Sequence, residues 1–333
     1  MTGRKSAAFV LWVSFAGLVG VSGCHRQPNP PGELRDYRAE MRAFVANISA
    51  TAKRSNPTFV VIAQDGLDLL TESGEPSGKP VQSYVRALDG VGQEDVYYGY
   101  AGDGVETPHD VRSRYQGFLD LALDQGLAVF VTDYCTTCAQ AQKAHELASA
   151  RGYVEFAAER RDLDNIPSCL GTPPDANNGD VRRLHDVRNF LYLINPHNFH
   201  TRDQFVNALA NTAYDMLILD FSFNGQPYTQ GELNRLKRKA SGARRMVIAY
   251  MSIGEAEDYR PYWKSEWTET PPAWLLDENP DWPGNYTVRF WYPQWQSIIV
   301  DSTESYLKQI VRTGFDGVYL DKVDVYEVFE HQN

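Results

Sequence analysis

The sequence predicts an α/β protein built around a parallel sheet, and the order of its apolar segments is the main reason. Eight short apolar segments recur along the 333 residues, and most are separated by stretches in which apolar residues repeat at helical spacing. The short segments are rich in branched and aromatic residues, as is typical of strands covered on both faces. Eight such units in about 300 residues predict a (β/α)8 TIM barrel, with an open doubly wound sheet as the rival.

Each predicted element follows from its local pattern. The strands centre on Val60, Val91, Val129, Val154, Leu193, Ile218, Ile248 and Val318. Helical spacing predicts helices over residues 35–53, 81–88, 109–125, 139–150, 201–211, 229–240 and 296–313. Thr229 and Glu232 have the spacing of a capping box at the start of one helix. No glycine-rich phosphate-binding turn follows the first strand, which argues against the doubly wound sheet.

The chain begins with a predicted helix and ends soon after a predicted strand. A closed barrel accommodates this order, because the first helix can occupy the position that follows the last strand.

The last predicted strand, residues 317–320, is followed by three acids: Asp321, Asp324 and Glu327. Carboxylates just past the C-terminal ends of parallel strands lie where α/β barrels carry their chemistry. A single Asp there is as readily the cap of a following turn. The recurrence of strand-end acids favours a site, and the further ones are Asp65, Glu94, Asp133, Asp220 and Glu255.

Composition restricts the class of protein. A hydrophobic fraction of 43% with 12% aromatic residues indicates a globular protein with a sizeable core. The formal charge of −11 argues against a nucleic-acid partner and is compatible with a cationic substrate. The seven Trp and nineteen Tyr suit a cleft in which rings stack on sugars.

The N-terminus predicts export. Arg4 and Lys5 precede an apolar run over residues 7–21, the length of a signal-peptide core. The run ends in VSGC, which resembles the bacterial lipobox with Cys24 as the lipidated residue. We therefore expect a lipoprotein signal peptide (1–23), a tether (24–34) and one barrel domain (35–333), anchored to a membrane of the bacterial cell envelope and facing the periplasm or the outer surface. An ordinary signal peptide with an incidental Cys is the alternative.

Three further cysteines lie in a compartment that permits disulfides. Cys135 and Cys138 form a CxxC motif, but no partner Cys/His pair completes a zinc site and no thioredoxin-like context surrounds it. We expect one disulfide to Cys169, with Cys138 the preferred partner, and one free thiol. The seven His include no HExxH or similar spacing, so no metal site and no cofactor is predicted.

Three segments resemble the TM1410/MJ1477-like glycoside hydrolases, which are relatives of the endo-α-1,4-polygalactosaminidase family. They are residues 246–263 (MVIAYMSIGEAEDYRPYW), 282–295 (WPGNYTVRFWYPQW) and 315–327 (FDGVYLDKVDVYE). In the N-terminal half, VVIAQDGLDLL and ALDGVGQEDVYYGY are similar to other segments of that family. In the family the segment like FLYLINP comes first, and the segment like VVIAQDG follows the GVYLD strand. The resemblance covers about residues 36–330 and implies a TIM barrel whose order is circularly permuted.

The resemblance also implies catalysis by two carboxylates. On the GVYLD and VGQE segments it implies Asp321 as nucleophile or electrostatic stabiliser and Glu94 as proton donor, although Glu94 is also compatible with a solvated loop acid. Glu255 in SIGEAED is the main competitor, or else a structural acid that binds Arg260. Asp220 is expected to bind substrate hydroxyls or an amine. The remaining candidate catalytic or substrate-binding residues are Asp65, Gln64, Asp133, Tyr250 and Tyr97.

Two functions follow from these observations. The first is an exported, lipid-anchored glycoside hydrolase that cleaves an amino-sugar polysaccharide, polygalactosaminidase-like, with a cationic polymer suited to its acidic cleft. The alternative is a non-catalytic carbohydrate-binding lipoprotein of the cell envelope. Both have a polysaccharide and a membrane as partners, the membrane through a lipid on Cys24.

Overall fold

The computed structural model describes residues 35–331, in which eight parallel strands form one sheet that curves into a nearly closed barrel. The strands are β1 (Val60–Gln64), β2 (Gly90–Glu94), β3 (Ala128–Tyr134), β4 (Val154–Ala158), β5 (Phe190–Leu193), β6 (Met216–Leu219), β7 (Met246–Ser252) and β8 (Gly317–Asp321). Hydrogen-bonded neighbours run β4–β3–β2–β1–β8–β7–β6–β5. The (β/α)8 TIM barrel predicted from the sequence is confirmed. The predicted signal peptide, Cys24 and the tether lie outside the described residues.

Helices cover the outside of the barrel. They are α1 (Tyr37–Ser55), α2 (Gln82–Val85), α3 (His109–Asp124), α4 (Cys138–Ser149), α5 (Arg202–Ala210), α6 (Gln230–Leu236), α7 (Pro293–Gln296), α8 (Tyr306–Thr313) and α9 (Tyr326–Glu330). The predicted capping box is present at the start of α6, where Thr229 and Glu232 satisfy each other's backbone amides. None of the helices in residues 35–331 combines the length and the apolarity that crossing a membrane requires.

Helix α1 occupies the position that follows β8, as the order of elements predicts. Its N-terminal end packs against α9, where the Tyr37 and Phe329 rings lie 5.5 Å apart. The Arg38 guanidinium donates to Glu330 at 2.9 Å. The first and last described helices therefore close the outer layer together.

Helix α6 is shorter than the predicted 229–240, and the cause lies in a buried arginine. The Arg245 guanidinium, 0% exposed, donates to the Leu209 carbonyl at 2.9 Å and the Leu236 carbonyl at 2.8 Å. Both carbonyls belong to the last turns of their helices, α5 and α6, and that of Leu236 has no intrahelical donor. Because Arg245 lies just before β7, the chain must turn back at Leu236 instead of continuing the helix.

The predicted helix 296–313 is interrupted before α8. After α7, residues Ser297–Asp301 form a π-helical turn, and the chain then leaves the helix. The Ser305 hydroxyl donates to the Val300 carbonyl at 3.0 Å, and the Lys308 ammonium donates to the Ser302 carbonyl at 2.7 Å. Side chains thus take over carbonyls that a continuous helix would bond, which is the usual way in which Ser competes with helical hydrogen bonds.

The connection from β4 to β5, residues 159–189, contains a 3-10 turn at Leu184–Asp186 and no α-helix. Within the described chain β4 and β5 share no ladder, although the Phe156 and Phe190 rings lie 5.5 Å apart across the gap. A disulfide joins Cys138 to Cys169 and so ties this connection to the start of α4. The predicted pairing is confirmed, and Cys135 remains a buried free thiol.

Replacing both Cys138 and Cys169 by Ser should lower the free energy of unfolding by about 3 kcal/mol. The bond closes a loop with a sequence separation of 31, and its loss restores conformational freedom to the unfolded chain. Urea unfolding followed by tryptophan fluorescence measures the change. Dithiothreitol should lower the stability of the wild type to that of the variant and leave the variant unchanged. Equal stability of the oxidised wild type and the variant would show that the bond contributes nothing.

Candidate active site

The C-terminal ends of the barrel strands form a rim that brings together residues far apart in the chain. Side chains alternate along each strand, and the paired aromatic rings of Tyr192 and Tyr319 identify the inward set. The inward positions at or near the rim include Gln64, Gly92, Glu94, Tyr134, Tyr192, Tyr250, Tyr319 and Asp321. Asp321 and Glu94, on β8 and β2, thus share one rim and are close enough for the charge of Asp321 to act on Glu94.

Gly92 allows β1, β2 and β8 to approach closely beneath the rim. A Cβ atom at Gly92 would lie 2.0 Å from the Tyr319 hydroxyl oxygen and 2.5 Å from Gln64 Oε1. The Tyr319 hydroxyl donates a hydrogen bond to that same amide oxygen. The glycines that make β2 a weak strand in sequence therefore make room for a buried polar contact between β1 and β8.

Three neighbouring strands end in the same unusual backbone conformation. Asp65 after β1, Asp95 after β2 and Lys322 after β8 have φ values of 58°, 60° and 59°. Residues with a Cβ atom rarely adopt this left-handed region, and each instance costs on the order of 1 kcal/mol. Strain concentrated at three adjacent strand ends is typical of a functional site.

Asp321 is held by donors on both of its oxygens. The Tyr250 hydroxyl donates to Oδ2 at 2.6 Å, and the Lys322 backbone N–H donates to Oδ1 at 2.7 Å. The left-handed turn at Lys322 is what aims that amide back at the carboxylate. Charge-assisted hydrogen bonds of this kind orient a carboxylate and stabilise its negative charge.

Glu94 has the opposite electrostatic character. Burial, followed by the charges of Asp95 and Asp321, raises the pKa of its carboxyl group to about 8. Arg161 and the Tyr134 hydroxyl act in the other direction. At neutral pH Glu94 is therefore mostly protonated, which suits a group that gives up a proton during a reaction.

Asp65 is a third acid at the rim. It follows β1, the strand that lies between β2 with Glu94 and β8 with Asp321. Its Oδ1 accepts a hydrogen bond from the Gln93 amide at 2.8 Å. Burial, followed by the charges of Asp324 and Glu94, raises the pKa of Asp65 well above its usual range. Burial is also the first cause that raises the pKa of Asp324.

A cavity of about 350 Å³ opens beside these acids, a size typical of small-ligand sites. Six of its thirteen lining residues are acidic, and two tyrosines and one arginine are among the others. They include Asp65, Asp68, Gln93, Glu94, Asp95, Tyr100, Arg114, Tyr115, Asp324 and Glu327. Tyr100 is 45% exposed and offers an open aromatic face at the entrance.

Glu255 is buried, and its partner is not the expected Arg260. Its Oε1 accepts from the Asn279 amide at 2.8 Å and lies 3.6 Å from the Lys322 ammonium. Burial raises the pKa of Glu255, against the effect of Lys322. Arg260 instead binds Glu257 at 2.6 Å.

The other sequence candidates occupy structural positions. Asp220 forms an ion pair with Arg260. Asp133 Oδ1 accepts from the backbone N–H groups of Tyr97 and Tyr98, at 2.6 and 2.9 Å. Tyr97 is 1% exposed, and neither it nor Asp133 lines the cavity.

Sequence reasoning missed Tyr319, Tyr134 and Arg161. Because side chains alternate between the two faces of a strand, Tyr319, two residues before Asp321, could have been placed on the same inner face. Tyr134 directly follows Asp133, so extending β3 by two residues would have found it. No sequence signal points to Arg161, which comes from the helix-free connection after β4.

Comparison with known proteins gives a family match in the C-terminal part of the chain. Residues 208–333 match the model of the glycoside-hydrolase family GH114. This stretch includes β6, β7 and β8, and therefore Asp220, Tyr250, Glu255 and Asp321. Glu94 and Asp65 lie outside it.

Three uncharacterized proteins are similar over nearly the same length. A Methanocaldococcus jannaschii protein is 46% identical over 125 residues, which is 37% of this chain and 34% of that protein. One from Deinococcus radiodurans is 40% identical over 38% of each chain. One from Thermotoga maritima is 36% identical over 37% of each chain. The match thus spans little more than a third of each of these relatives.

A solved structure aligns more broadly but weakly. A dihydropteroate synthase of Xanthomonas albilineans covers 82% of this chain and 92% of its own, with 12% identity and a TM-score of 0.36. A likeness of this strength carries no inference about the site.

Replacing Gly92 by Ala should destabilise the protein by about 2 to 3 kcal/mol, since the new methyl group overlaps buried atoms of Tyr319 and Gln64. Chemical unfolding measures the loss. Gly126→Ala is the control, because no atom lies within 4 Å of a Cβ there and its cost comes from backbone strain alone. A smaller cost at Gly92 than at Gly126 would contradict the close packing of the three strands.

Replacing Glu94 by Gln should make the protein more stable than the wild type at high pH. The folded pKa of about 8 lies above the ordinary 4.5, so the folded state binds more protons between these values. The stability of the wild type therefore falls as pH rises through that window. The glutamine side chain does not titrate, and at pH 9 the variant should gain roughly 2 to 4 kcal/mol relative to its difference at pH 4.

Unfolding curves of both proteins between pH 4 and pH 9 measure this effect. The surface variant Glu304→Gln should show no such gain with rising pH. Parallel stability profiles for the wild type and Glu94→Gln would contradict the raised pKa.

Proposed function

We propose that this protein is a glycoside hydrolase that cleaves a polysaccharide with Asp321 and Glu94. The observation that carries the proposal is the contrast between two acids on one rim. Asp321 accepts two hydrogen bonds that stabilise its negative charge, whereas the pKa of Glu94 is raised to about 8. A carboxyl group with a raised pKa beside a second, hydrogen-bonded carboxyl group is typical of glycosidases. The family match of residues 208–333 supports the same reaction class.

In this mechanism Glu94 gives its proton to the glycosidic oxygen as the bond to the anomeric carbon breaks. Asp321 attacks that carbon or stabilises the positive charge that develops on the sugar ring. Water supplies the hydroxyl group of the product and returns a proton to the site. Gln64 and Tyr319 close the floor beneath the pair.

We further propose that the substrate is an amino-sugar polymer with free amines, as in polygalactosaminidase-like enzymes. The cavity beside Glu94 has six carboxyl side chains among its lining residues. The guanidinium of Arg114, which also lines it, is already bound to Glu75 at 2.6 Å. An ammonium group on the sugar would be attracted to this surplus of acid.

Export and anchoring complete the proposal. The VSGC sequence before the described residues supports a lipid on Cys24, which would place the barrel at the bacterial cell envelope, facing the periplasm or the outer surface. A polymer substrate outside the cytoplasm is consistent with that location.

We also propose that the barrel is a circular permutant of its relatives. The GVYLD-bearing part of this chain follows the VVIAQDG-bearing part, the reverse of the family order. Helix α1 fills the position after β8, so this order leaves no gap in the outer layer. A permuted order would also explain why the alignments to relatives stop after about 125 residues.

The test is hydrolysis by the domain comprising residues 35–333. The protein is incubated with a panel of amino-sugar polymers, each in free-amine and N-acetylated form, and products are identified by mass. Asp321→Asn and Glu94→Gln should each lower kcat/KM by about 100- to 10,000-fold while the protein stays folded. Glu304→Gln, at an exposed surface position, should keep wild-type activity.

Full activity in either rim variant would disprove the assigned pair. A preference for N-acetylated polymers would contradict the cationic substrate. If the wild type binds a polymer and releases no product under any condition, the protein is a sugar-binding module and the hydrolase proposal fails.

A further inference from the structure

Tyr134 is the side chain that reaches Glu94 from the neighbouring strand. In the ladder between β2 and β3, Glu94 lies opposite Thr132, so Tyr134 extends one inward position farther towards the rim. Its ring is buried, it lies on the same inward face as Glu94, and its hydroxyl acts to lower the pKa of the Glu94 carboxyl group. A tyrosine so placed limits the directions in which the carboxyl group can point.

Arg161 in turn holds Tyr134. The guanidinium carbon lies 3.8 Å from the centroid of the Tyr134 ring, a cation–π contact. Its N–H groups donate to Asp95 at 3.0 Å and to Asp103 at 2.8 Å. A further bond at 3.0 Å reaches the Gly99 carbonyl. Arg161 thus fixes the ring on one side and the hairpin of residues 98–106 on the other.

We propose that Arg161 and Tyr134 form a positioning arm that orients the Glu94 carboxyl group and sets the pH range over which it donates its proton. The inference rests on Glu94 as the acid of the proposed hydrolase. Arg161 belongs to the helix-free connection after β4, so this connection takes part in controlling the site.

The surroundings of Glu94 explain why such an arm matters. The groups that face it lie in three strands and in the loops after three others: Tyr134 in β3, Tyr192 in β5, Tyr319 and Asp321 in β8, Asp65 after β1, Asp95 after β2 and Arg161 after β4. The carboxylates all favour the protonated form of Glu94. Arg161 and the Tyr134 hydroxyl oppose them, so the arm keeps the proton transferable near neutral pH.

Removing either part should therefore make Glu94 hold its proton more tightly. In Arg161→Gln the opposing charge disappears and Asp95 loses its partner. In Tyr134→Phe the hydroxyl disappears while the ring remains. Both changes should raise the pKa of Glu94, by about one pH unit for the arginine variant. The basic limb of the kcat/KM profile should move to higher pH by the same amount.

Arg151→Gln is the matched control. Arg151 also lies over a tyrosine ring, that of Tyr153, at 5.9 Å, and also pairs with an aspartate, Asp120. This cluster lies where β4 begins, at the end of the barrel away from the rim. Its loss should cost comparable stability and leave the titration of Glu94 unchanged.

Two readouts are used on the domain comprising residues 35–333. Carbon-13 NMR of labelled glutamate carboxyl groups follows Glu94 directly, with Glu94→Gln identifying its signal. The kcat/KM profile on the polymer that the panel selects follows the same group in turnover. The arm is supported if Arg161→Gln and Tyr134→Phe both shift the Glu94 midpoint upward and Arg151→Gln does not.

The arm is disproved if the Glu94 midpoint in folded Arg161→Gln and Tyr134→Phe equals or falls below that of the wild type. Tyr134→Phe changes one oxygen atom, so it decides the question even where the arginine variant fails to fold. The NMR titration needs no substrate. If the Glu94 midpoint shifts in a protein that hydrolyses no polymer, the arm is supported and the proposed function is refuted. Failure of the arm and failure of the proposed function can therefore be told apart.

Discussion

The pairing of β1 with β8 is the constraint on which the rim depends. Val60 lies opposite Gly317 and Ala63 opposite Leu320, so the first and last strands of the barrel run side by side. Gly317 permits this approach, because a Cβ atom there would lie 2.5 Å from the Val60 carbonyl oxygen. The ladder brings Asp65 and Asp321 to one edge, and the next ladder, between β1 and β2, adds Glu94. No local feature of the chain could assemble these acids.

An assembly of so many carboxyl groups is electrostatically costly, and the protein offsets the cost in two ways. Burial raises the pKa of Asp65 and raises that of Glu94 to about 8, so that Glu94 is mostly protonated at neutral pH. Cations are placed at its edges, with Lys322 acting on Asp321, Asp324 and Glu255 and Arg161 on Asp95. The left-handed turns add further strain at the same place. The buried acids, their cations and the left-handed turns all lie at one edge of the barrel, so the most constrained residues lie there.

Much of this fold could be predicted from the sequence. Strands buried on both faces are uninterrupted apolar runs, and so the pattern locates β6 and β7 almost to the residue. The weak pattern of β2 has a physical explanation in Gly92, whose missing side chain makes room for Tyr319. The end of α6 could not be predicted, because Arg245 acts on it from the start of another strand.

The site was predictable only in part. Strand-end acids and the resemblance placed Asp321 and Glu94 on one edge, since parallel strands end together. Asp133 and Tyr97 were expected to line the cleft, yet strand alternation turns one outward and packing buries the other. Arg161 and Lys322 lie outside the strands, and their contacts follow from loop paths that no periodicity describes.

The gap between β4 and β5 has a mechanical consequence. In a ring of eight strands this gap is diametrically opposite the β8–β1 junction, four strands away in either direction. A barrel in which one pair of neighbouring strands shares no ladder can change shape there while the ladders on the opposite side stay paired. The Cys138–Cys169 disulfide lies beside this gap and ties the β4–β5 connection to α4. Within the described residues, this gap is the one place in the barrel without a ladder. The gap thus lies on the side of the barrel away from Asp65, Glu94 and Asp321.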